Sequence, residues 1–275
     1  MADQQTVLSP LQVFYNWEKN TPDNVAHKQP VSGTWKEYTW KQTGEEVRKM
    51  AAAINAMDLP KGSKIAILSK NCAHWIMSDL AIMMSGHVSV PLYPNLTVDM
   101  LEHILKHSET KAMFVGKLDN TDELKPGIPS DIYCMAYPDY PIAGYDNWKD
   151  IVAKHEPVQG EPNREPKDLA TIIYTSGTTG MPKGVMLDFH SFSFAMSHAM
   201  KTVGLGNDSK YFSYLPLCHI AERFLVEMGG LYSGGQTAYA ESIDTVAQNL
   251  QEIQPTVFLG VPRIWTKFQQ GILAK

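Results

Sequence analysis

The run Tyr174-Thr-Ser-Gly-Thr-Thr-Gly-Met-Pro-Lys183 concentrates the side chains best able to grip a polyphosphate. Gly177 and Gly180 allow backbone angles closed to other residues and let the main chain approach a ligand closely. Thr175, Ser176, Thr178 and Thr179 add hydroxyl donors to the backbone N–H groups, and Lys183 adds a point charge. An ordinary nucleotide P-loop would need Gly-Lys-Ser/Thr at the opening of a helix. Here Pro182 stands where the second glycine belongs, Gly184 follows the lysine, and Val185-Met186-Leu187 reads as a strand. A kinase or GTPase of that type is excluded. Clusters of Ser, Thr and Gly between apolar runs are usually solvated turns, but this string is long, carries two spaced glycines and has a strand on each side. Ser176 lacks the Gly-x-Ser-x-Gly setting of a nucleophile, so it reads as a phosphate donor.

Three further residues are spaced for chemistry. His219, Glu222 and Arg223 fall at i, i+3 and i+4 of a helix expected from His219 to Tyr232, so they can share one face at its first turn. The plainer reading makes Glu222 and Arg223 a surface ion pair and His219 a cap. His103 and His107 have the i, i+4 spacing of metal ligands, but no third ligand is near in sequence, so they read as a solvated helix face and no metal site is expected. The fourteen methionines could line a pliable pocket, although most fall at core spacing.

The elements that must position these residues alternate. Thr39 to Gln42 has capping-box spacing ahead of a helix with Val47, Met50, Ala51, Ile54 and Met57 on its apolar side. A buried-type strand follows at 64–68, then a helix over 73–84, a strand at 88–92, a helix from about Thr97 and a strand at 112–115. The pattern loosens from Gly116 to Asp168 into Pro-rich and charged residues. The subdomain boundary is expected there, dividing the chain into 1–165 and 166–275. Beyond it come strand 171–175, the phosphate loop, strand 185–187, helix 190–202, strand 211–215, helix 219–232, strand 236–239, a helix with Val246, Leu250 and Ile253 on one face, strand 256–260 and a helix from about Arg263. Such alternation predicts parallel crossovers in an α/β fold, with ligands beyond the carboxyl ends of the strands. The loops after Thr175, Leu215 and Gly260 all lie at such ends.

A chain of 275 residues can bury a large core. Its formal net charge of −5 carries no basic footprint for nucleic acid. Cys72, Cys134 and Cys218 are few and far apart, which points to a reducing compartment rather than a disulfide or zinc framework. The N-terminus lacks a signal-peptide pattern. The most apolar stretch, Trp75 to Tyr93, is interrupted by Asp79, Ser85 and His87, which argues against a spanning helix. A cytoplasmic location is expected.

With its flanks, Tyr174 to Gly184 resembles the signature loop of the adenylate-forming superfamily: acyl-CoA synthetases, nonribosomal adenylation domains and firefly-type luciferases. Tyr214-Leu-Pro-Leu-Cys-His-Ile-Ala-Glu-Arg223 is similar to the second core motif in the form used by long-chain fatty acyl-CoA synthetases, and Gly260-Val-Pro-Arg-Ile-Trp265 to a further element of that branch. Tyr38-Thr-Trp40, Ser69-Lys-Asn-Cys-Ala-His-Trp75 and Val90-Pro-Leu-Tyr-Pro94 are similar to the entry region. One departure is that Asp188-Phe189 precede His190, where the family commonly has Thr-His directly after the post-loop strand.

The resemblance implies the N-terminal part of the adenylate-forming enzyme fold, two packed subdomains with mostly parallel sheets flanked by helices. It implies ATP, Mg²⁺ and coenzyme A, with a fatty acid carboxylate activated to acyl-AMP and then passed to the CoA thiol. On the same ground, Thr175, Ser176, Gly177, Thr178, Thr179, Gly180 and Lys183 hold the phosphates, and Lys183 and His219 serve catalysis. His219, Val261 and Pro262, with Trp265 nearby, border the acyl site. The Tyr-Gly-x-Thr-Glu segment and the C-terminal domain with its late lysine have no counterpart here, so an N-terminal portion, inactive alone, is expected. A lipid substrate is compatible with peripheral membrane contact. Two alternatives stay open: adenylation of an aryl or amino acid carboxylate, and a non-catalytic nucleotide-binding remnant.

Overall fold

The computed structural model describes residues 7–176 and 181–273. In chain order the elements are α1 (Pro10–Asn20), β1 (Val25–Val31), β2 (Thr34–Thr39), α2 (Trp40–Asn55), β3 (Lys64–Leu68), α3 (Ala73–Met84), β4 (Val88–Leu92), α4 (Val98–His107), β5 (Thr110–Val115) and α5 (Thr121–Leu124). They continue with β6 (Tyr133–Ala136), β7 (Asp146–Asn147), α6 (Trp148–Val152), β8 (Leu169–Ser176), β9 (Pro182–Asp188), α7 (Phe189–Val203), β10 (Lys210–Ser213), α8 (Ile220–Glu222), a π-helical stretch (Arg223–Met228), α9 (Gly229–Ser233), β11 (Gln236–Tyr239), α10 (Val246–Ile253) and α11 (Pro262–Leu273).

Local chemistry sets the helix starts. Ser9 and Thr39 each form a capping box with the glutamine three residues on, Gln12 and Gln42. Thr97 caps α4 by accepting from the Met100 backbone. The Asp188 departure has a local reason. Asp188 Oδ1 accepts from the Ser191 backbone N–H at 2.8 Å and from its hydroxyl at 2.5 Å, which caps α7 directly after β9, while Phe189 is fully buried.

Seven strands form one sheet in the order β7-β6-β5-β3-β4-β8-β9, parallel except for the β8–β9 hairpin. Four form the other in the order β10-β11-β1-β2, parallel except for the β1–β2 hairpin. Strands β3 and β4 read as near-continuous apolar runs because both of their faces are covered. Ile65, Ile67, Ala112 and Phe114 face inward against α1, α2, α3 and α7, with Tyr239 of the smaller sheet in the same cluster. Ala66, Leu68, Met113, Val115, Ile172 and Tyr174 face outward against α4. Phe212, Tyr214 and Ala238 pack outward against α10 and α11. Helices therefore lie between the sheets and outside both. Every residue of α3 is buried between the sheets, which accounts for the apolar stretch that begins at Trp75.

Two expectations differ from the structure. The sheets do not divide at residue 165: β8 and β9 complete the sheet of β3–β7, while β1 and β2 join β10 and β11. A strand over 256–260 does not form beyond a single bridge between Tyr211 and Val257. At that point the Thr256 side chain accepts from Lys210 N, and Thr256 N and Val257 N both donate to Lys210 O, so the ladder cannot advance. Among the described residues, no helix is long and apolar enough to cross a membrane. The three cysteines are buried and unbridged.

Candidate active site

The phosphate-loop segment joins β8 to β9 at one edge of the larger sheet. Thr175 pairs in register with Lys183 and Ser176 with Pro182, and Thr175 and Lys183 are both exposed. Gly177, Thr178, Thr179 and Gly180 lie outside the described residues. Gly184 sits opposite Tyr174, and a Cβ there would meet Ile172 Cγ2 at 2.7 Å and the Tyr174 ring at 3.3 Å. The absence of a side chain at this position leaves room for Ile172 and the Tyr174 ring on the same face of the hairpin. Tyr174 is buried, and its hydroxyl meets His107 Nδ1 at 2.7 Å. His107 thus anchors the base of the hairpin from α4 instead of standing on a purely solvated face. Nothing in the local sequence spacing pairs residues so far apart.

β8 runs parallel to β4 with Ser89 opposite Thr171, so Pro94 and Ser176 stand equally far along the chain beyond that pair. Pro94 and Asn95 belong to the rim of a cavity of about 440 Å³. Its wall comes from the carboxyl ends of strands in both sheets: Lys70 and Asn71 after β3, Lys117 after β5, Tyr214 and Leu215 after β10, and Glu241 after β11. That is where ligands of parallel α/β sheets bind. Lys117 Nζ donates to Ala240 O at 2.9 Å, tying the two sheets together, and its burial lowers its pKa. Lys70 is held by Asp119, and Arg263 and Lys267 add positive charge at the α11 side.

The residues of the second motif part company. His219 is exposed and lies before the helix as its cap, its Nδ1 accepting from Ala221 N at 3.2 Å. The expected shared face is not formed, because Glu222 and Arg223 both turn into the protein. Glu222 Oε1 accepts from Ser213 Oγ at 2.9 Å and from Tyr214 N at 3.0 Å, and its Oε2 has no partner among the described residues. Burial pushes the Glu222 carboxyl up to about 8, so it holds its proton at neutral pH. Arg223 Nη2 donates to Asp79 Oδ2 at 2.6 Å and to Ser89 Oγ at 3.3 Å, and Nη1 donates to Thr171 Oγ1 at 3.1 Å. These are buried braces, not a surface ion pair.

Val261 lines the cavity with Ile264 and Lys267. Pro262 opens α11, is exposed and does not line the cavity, and Trp265 is also exposed. The structure therefore gathers Val261, Tyr214 and Asn71 at the cavity, with Thr175 and Lys183 on the hairpin along the sheet edge and His219 exposed at the start of α8. Sequence spacing could not find Asn71 or Lys117. Each follows a strand whose position is set only by the parallel crossover.

The chain matches the family model described as AMP-binding enzyme over residues 14–274. Fatty acyl-CoA synthetase A of Dictyostelium discoideum is 31% identical over 258 residues, which cover 87% of this chain and 38% of the relative. Long chain acyl-CoA synthetase 5 of Arabidopsis thaliana is 28% identical over 88% of this chain and 39% of its own. The chain thus spans about two fifths of the length of these relatives. Among solved structures, an anthranilate CoA ligase in complex with anthranoyl-AMP has a TM-score of 0.80 at 18% identity, covering 91% of this chain and 49% of that one. ATP-bound MatB from Rhodopseudomonas palustris has a TM-score of 0.77 at 21% identity, covering 94% and 51%. At these identities the likeness is one of fold.

Proposed function

Because the chain belongs to the AMP-binding enzyme family, by its match over residues 14–274, we propose that it is the N-terminal part of an AMP-forming acyl-CoA ligase acting on long-chain fatty acids. The observation that carries this reading is the β8–β9 hairpin. Its exposed Thr175 and Lys183 face each other in register at the carboxyl edge of a parallel sheet, next in that sheet to the strand whose following loop rims the cavity.

In the first half-reaction a carboxylate oxygen of the fatty acid attacks the α-phosphorus of ATP. An O–P bond forms, the bridging bond between α-phosphorus and the β-phosphate oxygen breaks, and pyrophosphate leaves with the bonding pair. In-line displacement of this kind asks the protein for positioning and charge compensation rather than covalent chemistry. Lys183 and the hydroxyls of the loop supply both, holding the β- and γ-phosphates as they depart together as pyrophosphate. Magnesium arrives with the triphosphate as part of the substrate. The chain's own share lies in the cationic and hydroxyl groups of the loop and its flanks, Lys183 and Thr175 among them. In the second half-reaction the CoA thiol gives up its proton, sulfur bonds to the acyl carbon, and the carbon–oxygen bond to AMP breaks.

The apolar cavity wall of Tyr214, Leu215, Val261 and Ile264, with Lys70, Lys117 and Arg263 about it, suits a ligand with a hydrocarbon body and an anionic end. The long-chain assignment also rests on the names of the relatives, Long chain acyl-CoA synthetase 5 of Arabidopsis thaliana among them. The test is carboxylate-dependent ATP–pyrophosphate exchange by the full-length protein across fatty acids of increasing length, aryl acids and amino acids. Exchange that rises with the longer fatty acids supports the reading. Exchange driven only by an aryl or amino acid replaces the substrate, and the absence of exchange with every acid removes the activity.

A further inference from the structure

Asn71 follows β3 of the larger sheet, yet nearly all of its side-chain capacity is spent on the segment that follows β10 of the smaller one. Its Nδ2 donates to Ser213 Oγ at 2.8 Å and to Leu215 O at 2.5 Å, and stands 3.5 Å from Glu222 Oε1. Its Oδ1 accepts from Leu217 N at 3.1 Å. One amide therefore holds both sides of Pro216, and the Pro216 carbonyl in turn accepts the backbone N–H of His219 at 2.9 Å. Glu222 grips the same segment from beyond by accepting from Ser213 Oγ and Tyr214 N. Asn71 is 8% exposed and Glu222 1%. An amide donates and accepts from two separate atoms at once, which suits the Leu215 carbonyl and the Leu217 N–H together. With one partner removed, the buried groups left behind lose both their bond and their water.

We infer that Asn71 is a positioning residue for adenylation, acting through the Tyr214–His219 segment that walls the cavity and carries His219. The inference rests on the reading of the site given above. Displacing a reacting group by about 1 Å costs on the order of 100-fold in rate, so the loss falls on turnover more than on nucleotide affinity.

The test uses the full-length protein, with Asn71→Ala and Asn71→Asp compared with wild type in fatty-acid-dependent pyrophosphate exchange between pH 6 and pH 8. Both variants are expected to lower kcat about tenfold or more at pH 8, with KM for ATP within about twofold. Asn71→Asp regains activity as the pH falls, since a protonated carboxyl can again donate to Leu215 O while its other oxygen accepts from Leu217 N. Asn71→Ala regains none. Parallel melting curves separate misfolding from mispositioning, and acid recovery of the aspartate variant requires a folded protein in any case. Wild-type kcat in both variants, or a loss in Asn71→Asp that is the same at every pH, overturns the inference. Wild type without exchange activity overturns instead the adenylation reading on which it rests.

Discussion

Arg223 and Asp79 meet at 2.6 Å with both side chains fully buried, joining the helix after β10 to α3 between the two sheets. Glu227 Oε2 stands 3.3 Å from the same guanidinium but off the line of its Nε–H, so one cation faces two carboxyl groups. Burial holds the Glu227 carboxyl well above the usual carboxylate range, against the pull of the Arg223 cation. The guanidinium also lies over the rings of Trp75 and Phe192. Removing one member of such a pair strands a buried charge, at a cost of about 3–5 kcal/mol. Arg223→Met is therefore expected to unfold in much less urea than wild type. Adding Asp79→Asn should return part of the loss, which equilibrium denaturation of the two single variants and the double variant measures.

Glu222 makes a pH prediction of definite sign. Its carboxyl rises from an ordinary value of 4.5 to about 8 in the folded state because it is buried. The neutral form is thus the stable one. Its contribution is fully present below pH 4.5 and is lost as the pH rises through about 8. Glu222→Gln keeps an accepting oxygen for Ser213 and Tyr214 but cannot ionise. Its melting temperature should match wild type at about pH 4.5 and below, exceed it increasingly as the pH rises from there to about 8, and keep a constant lead above that. Parallel curves across that range would show that burial does not shift Glu222 on folding.

Lys183 stands opposite Thr175 on the phosphate hairpin and is assigned to the departing pyrophosphate. Lys183→Ala should therefore slow adenylate formation by about 100-fold, comparable to the loss of one preorganised electrostatic donor. Thioester formation from supplied acyl-AMP should change little, because no pyrophosphate is present in that step. The two half-reactions, timed separately in the full-length protein, check this. Equal slowing of both would move Lys183 out of the phosphate site.

What the sequence could disclose follows from the range of the interactions involved. The capping boxes at Ser9 and Thr39 and the strands at 64–68 and 88–92 depend on neighbours a few residues away, so the Thr39 box and both strands are legible in the sequence, and the Ser9-to-Gln12 spacing carries the same local signal. The hydroxyl loop was visible for the same reason. The exchange of strands between sheets was not, because the pairing of β1 with β11 joins residues about two hundred positions apart. Glu222 and Arg223 show the same limit within one helix turn. Their spacing gave a common face, but their directions are set by Tyr214 N on one side and by Asp79 and Thr171 on the other. Asn71 lies in the Ser69–Trp75 segment, but the partners of its amide come from the other sheet and are fixed only by the tertiary fold.

Gly184 offers the sharpest test of how the hairpin is held. It faces Tyr174 across the β8–β9 ladder, next to the Thr175–Lys183 pair. A methyl group there would press on Ile172 Cγ2 at 2.7 Å and on the Tyr174 ring at 3.3 Å. The Tyr174 ring cannot readily retreat, because its hydroxyl is tied to His107 Nδ1 and the ring is buried in the outer core. Overpacking of this kind costs about 1–3 kcal/mol. Gly184→Ala should lower stability by that amount and weaken nucleotide binding as the Lys183 side of the hairpin shifts. Tyr174→Leu, which keeps apolar bulk but removes the ring and its tie to His107, relieves part of the clash, so the pair of changes should cost less than the sum of the two alone. Urea denaturation and Mg-ATP titration of the four proteins measure both effects. Strict additivity would mean that the added methyl group meets Ile172 alone and that the Tyr174 ring does not press on the strand.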